Sequence, residues 1–152
     1  MALNEAILRY STAKGYVQCI KIIFLSDEYK DKDEVTAILP MHMLAGFALE
    51  LYLKAWLLGS NVDSKSVSKF GHDVCALYAE AIRVDLPTIN GLEPLKNHLA
   101  RPHADFTFRY LESSDIIQNT NWPVAFQVFG ELDAVIDTMI GASASQGLPP
   151  GH

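Results

Sequence analysis

The residues best placed to do chemistry are three polar side chains set into an otherwise apolar run, Leu39 to Leu58, LPMHMLAGFALELYLKAWLL. His42, Glu50 and Lys54 stand there at multiples of four, with Gly46 completing the row. On a helix such a row drifts only about 40° per step, so its members share one sector. An acid four residues before a base is also the order that favours pairing along a helix. An isolated charge is too costly to bury, so Glu50 and Lys54 must find counterparts. Phe70-Gly71-His72-Asp73 follows after a polar link, and Phe108-Arg109-Tyr110 lies further on. The candidate set is therefore His42, Glu50, Lys54, His72, Asp73, Arg109 and Tyr110. One use for it is a polar seam between helices, in which Glu50 accepts bonds from His72 or Arg109. Another is a ligand- or nucleotide-contacting pocket bounded by the same groups. A third is general acid–base work, since burial shifts the proton affinity of Glu and His.

The remaining reactive types form weaker patterns. His72-Asp73 reads as a helix start, because adjacent side chains point away from each other and cannot relay a proton directly. His98 and His103 are five apart, on different faces of a helix, whereas histidines that share a metal favour i,i+4. No metal site, no cofactor and no catalytic residue is assigned. Phe106, Phe108 and Tyr110 around Arg109 either stack a base, as aromatics do for single strands, or plug one end of a bundle. No GxSxG, P-loop or GxGxxG occurs, which leaves hydrolase and common nucleotide-fold readings without support. Cys19 and Cys75 lie far apart with no CxxC spacing, so neither a disulfide framework nor a zinc knuckle is implied.

The elements that must hold these groups are helical. Leu3, Ile7, Tyr10, Val17, Ile20 and Phe24 recur at helical spacings, predicting an amphipathic helix from about Leu3 to Ser26. The charged run Asp27–Glu34 reads as a solvated connector. A second helix opens between Thr36 and Pro40, proline being accepted in a first turn, and stops at Gly59. Apolar side chains all round it mark it as the central helix. Asn61–Phe70 is a polar connector with room for one helical turn. Asp73 caps a third helix carrying Val74, Leu77, Tyr78, Ala81 and Ile82. A fourth runs from about Ile89 to Ala100 and is expected to end at Pro102. Ala104–Leu111 is read as extended chain. Pro123 opens the last helix, with Val124, Val128, Leu132, Val135, Ile136 and Met139 inward. The expectation is a single all-α domain over residues 1–141, an up-and-down helical bundle of about five helices, with 142–152 a flexible tail.

The 152 residues suit one domain with a real core, and the net charge is −6 with histidines neutral. Phosphate-dominated nucleic-acid binding needs a positive surface, and Lys and Arg do not cluster here. An acidic chain can still carry a local basic patch, so nucleic acid is disfavoured as a partner, not ruled out. Charges inside the Leu39–Leu58 run disfavour a membrane span. The amino terminus shows no basic region followed by an apolar run, so a cytoplasmic location is the default.

In Pro40 followed by LAGFALELYLKAWLL, then FGHDV, then Phe108-Arg109-Tyr110 and a closing amphipathic helix, the chain resembles HEPN-type domains, the higher-eukaryote and prokaryote nucleotide-binding helical family. The resemblance covers roughly residues 3 to 140. It implies a helical bundle, commonly a homodimer, in a family that includes toxin ribonucleases and partners of nucleotidyltransferases. It also raises an antitoxin or a nucleotidyltransferase as a possible partner. The ribonuclease members share an Arg, four to six residues, then His. Arg9, Arg83, Arg101 and Arg109 have no histidine in that window, Arg101 preceding His103 by only two positions. The nearest imitation, Lys96 with six residues before His103, supplies a lysine, which does not replace the planar fork of arginine. The expectation is a non-catalytic binding or interaction module that self-associates. An RNA-cleaving toxin with a divergent site around His72, Arg101, His103 and Arg109, and a nucleotide-binding partner of a nucleotidyltransferase that uses the polar seam, are the alternatives.

Overall fold

The computed structural model describes residues 2–31, 35–108, 110, 112 and 117–151. These form seven helices and no strand among the described residues: α1 (Ala2–Leu25), α2 (Asp27–Asp31), α3 (Val35–Gly59), α4 (Ser64–Lys69), α5 (Val74–Arg83), α6 (Leu92–Ala104) and α7 (Trp122–Ile140). A 3-10 turn follows at Ala144–Gln146. The all-α expectation holds, and α3 packs against α1, α4, α5, α6 and α7. Met41, Ala45, Ala48, Leu49, Leu53 and Leu57 of α3 are all fully buried. This helix is long and apolar enough to cross a membrane by length and composition alone, but over half of that stretch is buried inside the bundle. Its apolar faces are covered by other helices, as in the core helix of a soluble bundle.

Helix α1 lies along α3 through Ala6, Tyr10, Ala13, Val17 and Ile20. Their alternating spacing of four and three keeps one narrow stripe inward. Leu3, expected in that stripe and continuing its spacing, is 52% exposed in the first turn of the helix. The α7 stripe likewise runs through Trp122, Ala125, Val128, Phe129, Leu132, Ile136 and Ile140. Val124 is exposed and Val135 and Met139 are only partly covered, because Asp133 and Asp137 take inward positions between them.

Local signals set most of the boundaries. Asp63 caps α4 by accepting the Ser66 amide at 3.0 Å, and Asp73 caps α5 by accepting that of Ala76 at 2.9 Å. Asn121 accepts the Val124 amide at the start of α7, with Pro123 in the first turn. Gly141, at φ 66°, closes α7 in the left-handed conformation that glycine adopts without strain.

Four expectations change. The charged connector contains a short helix, α2, whose Tyr29 packs on Phe24; residues 32–34 lie outside the described residues. Pro102 does not end α6, which continues to Ala104. The proline removes one amide donor near the helix end, where few turns remain to be lost, and His103 beyond it is held by a bond to α3. Ala104–Leu111 is not extended where it is described, since Asp105 to Phe108 make turns. The segment set aside as a tail starts with buried Ala142 and Ser143, and Asp137 accepts bonds from the Ser143 and Gly151 amides, each at 2.8 Å.

Leu53→Ala should lower the unfolding free energy by about 2–5 kcal/mol in urea titration, as a fully buried leucine leaves a cavity. Leu51→Ala, at a partly covered position, should cost distinctly less.

Candidate functional site

Glu50, buried at 3% exposure, sits on α3 where the amino-terminal approach to α5 and the end of α6 meet it. Its Oε1 accepts from Lys54 Nζ at 2.6 Å. Its Oε2 accepts from His72 Nδ1 at 2.9 Å and from His103 Nε2 at 2.7 Å. Lys54 Nζ also donates to the Gly71 carbonyl at 2.7 Å. Lys54 therefore satisfies Glu50 and the turn that delivers His72 together. Burial pushes the Glu50 carboxyl up, but bonds from His103, Lys54 and His72 outweigh it and bring the pKa down to about 2. The group is a carboxylate at every physiological pH.

Packing holds the two imidazoles. Phe47 meets His103 edge-on at 4.8 Å between ring centres, and the His72 and His103 rings stand 5.8 Å apart, nearly perpendicular. Phe106 lies 5.7 Å from His72. His103 is buried, whereas the His72 side chain is 44% exposed. Gly46 makes this possible: a Cβ at position 46 would lie 2.5 Å from His103 Nδ1. Residue 46 must thus lack a side chain for α6 to bring its histidine onto Glu50.

Of the residues singled out in the sequence, Glu50, Lys54 and His72 come together. His42, Asp73 and Tyr110 do not join them. His42 lies eight residues before Glu50, about 12 Å along the helix, and belongs to a different cluster. Asp73 spends its carboxylate on the α5 cap, turned away from its neighbour His72. Tyr110 is 73% exposed, and Arg109 lies outside the described residues. His103 was not placed in the seam, because its approach depends on how α6 crosses α3. The bare position at Gly46, within the polar row, was the one signal for it.

His42 is wholly buried. Its Nδ1 donates to the Ile38 carbonyl at 2.7 Å, and its Nε2 accepts from Thr120 Oγ1 at 2.8 Å. Trp122, Phe108 and His98 surround the ring at 5.1–5.6 Å. Phe108 therefore plugs the bundle and is not free to stack a base. Clefts of about 490 and 440 Å³ open beside this cluster and share His98 and Gln118. Neither is lined by Glu50, Lys54 or His72, whereas His42 lines the smaller one.

A second buried network also escaped the sequence reading. Asp133 accepts from Tyr10 at 3.0 Å, Lys14 at 3.2 Å and Tyr52 at 2.7 Å, tying α7 to α1 and α3. Burial, and the Asp133 charge beside them, push both tyrosines up, so their hydroxyls remain donors. The only hint was the i,i+4 pair Asp133 and Asp137 inside an apolar stripe. All of these groups satisfy one another, which makes the network a clasp.

No family model, curated protein or solved structure matches this chain. The fold and the site therefore rest on their own geometry: an all-α bundle around one buried carboxylate that gathers a lysine and two histidines.

Burial pushes His42 below the usual histidine range, its backbone bonds opposing this in part. A base with a depressed folded pKa takes up its proton in the unfolded chain first. Stability is then fully present above an unfolded pKa of about 6.5 and falls as pH drops below it. Urea unfolding between pH 7.5 and 5 should show this loss, with a shallower slope in His42→Gln. An unchanged slope would mean that His42 is not held neutral.

Proposed function

We propose that this chain is a non-catalytic, HEPN-like helical binding and interaction module that acts as a cytoplasmic homodimer. The observation that carries the reading is the closure of the Glu50 cluster. Both carboxylate oxygens and the lysine are engaged within the protein, which suits a group that builds a fold better than one that turns over a substrate. The missing Arg-x4-6-His pattern points the same way.

Self-association is supported by the outer side of α1. Leu8, Ser11, Gly15, Cys19 and Ile22 are exposed and lie within about 80° of one another around the helix. None is charged, in a chain with 20% charged residues. Leu8 and Ile22 are 65% and 69% exposed, and a Cβ at Gly15 would meet open space. A second copy laid along this strip would bury both large side chains, at about 25 cal/mol per Å² of apolar surface removed from water.

A second reading, RNA cleavage by a divergent site, draws on one observation. His72 and His103 share Glu50 Oε2, and the ring of His72 remains partly exposed. Two imidazoles on one carboxylate resemble an acid–base arrangement.

Sedimentation equilibrium should give twice the 16.8 kDa chain mass, and Leu8→Asp with Ile22→Asp should return the monomer with its helix content unchanged. A strict monomer at high concentration removes the dimer. Purified protein should leave diverse RNAs intact; cleavage lost in His72→Ala would favour the second reading.

A further inference from the structure

We propose that Glu50, His72 and His103 form a binding site for a divalent transition-metal ion of the zinc class, with Lys54 as the outer partner that orients the carboxylate. Glu50 Oε2, His72 Nδ1 and His103 Nε2 all lie within 4.8 Å of one another. Two of the three separations are 2.9 and 2.7 Å. Zinc takes nitrogen and carboxylate oxygen at about 2.0–2.2 Å, which sets tetrahedral ligand atoms about 3.3 Å apart. The three atoms need shifts of well under an ångström at the carboxylate and a modest closing of the two rings. His72 supplies that freedom, being the exposed member on a short turn. His103 and Glu50 are fixed by packing.

The donor set favours this class of ion. Two imidazoles and one carboxylate without thiolate suit zinc and its neighbours better than calcium or magnesium, which prefer oxygen. The carboxylate that would bind through Oε2 has its other oxygen already fixed by Lys54. Outer contacts of this kind orient metal ligands. Loading replaces the two bonds to Glu50: the protons on His72 Nδ1 and His103 Nε2 pass by way of water to the other nitrogen of each ring, so that each neutral imidazole turns a freed lone pair to the ion. The Lys54 charge beside the ion weakens binding relative to a site without it. Three protein ligands and a partly exposed His72 leave a fourth position for water or a ligand atom. The site goes beyond the module reading and does not depend on the dimer.

The test is Zn2+ titration calorimetry on the full chain without added histidines, with Co2+ absorption as a second readout. One ion per chain should bind, and Co2+ should give visible bands of low-symmetry coordination. His72→Ala, at the exposed position, should keep its helix content and bind at least tenfold more weakly. His98→Ala, outside the site, should bind like the unaltered protein. Overturning results would be the absence of heat and of Co2+ bands at millimolar ion, or binding that His72→Ala leaves intact.

Discussion

A carboxylate cannot stay charged in a bundle core unless donors surround it, and Glu50 is where this chain meets that condition. Breaking a buried ionic group by removing one partner costs about 3–5 kcal/mol, far more than an exposed pair is worth. Glu50 therefore acts as a geometric constraint. Its position on α3 is productive only if Gly71 and His72 arrive ahead of α5 and His103 arrives at the end of α6. One residue thus links three segments that are distant in sequence. The side-chain-free position at Gly46 is part of the same constraint, since it lets the His103 ring approach.

The Asp133 clasp applies the same physics at another contact. Tyr10 and Lys14 on α1 and Tyr52 on α3 converge on a carboxylate of α7. Between them the two networks fix α1, α5, α6 and α7 around the central helix, while alanine and leucine contacts supply the apolar burial. His42 adds a third, neutral element. Its two ring nitrogens bond within α3 and across to Thr120, where the chain enters α7.

Much of this was legible in the sequence because it is local. The apolar run with Glu50 and Lys54 one turn apart announced a buried, paired central helix, and Asp73 and Asn121 carried their caps in their own side chains. The parts that escaped depend on how helices cross. Nothing near His103 in sequence says that it reaches Glu50 across 53 positions. Pro102 suggested a stop that the anchored His103 outlasts. Asp133 stands in an apolar stripe, but nothing local to it names Tyr10 and Tyr52 as its partners. The His42–Lys54 row also misled by grouping His42 with Glu50: a shared helix face does not bring together side chains two turns apart.

The most direct measurement is a double-mutant cycle between Glu50 and His103 by urea unfolding, using Glu50→Gln, His103→Ala and the pair together. Contacting buried groups couple by about 0.5–3 kcal/mol, and the account predicts a value in the upper half of that range. Free energies that simply add would show that Glu50 does not hold α6 to α3, and would contradict the central role given to it.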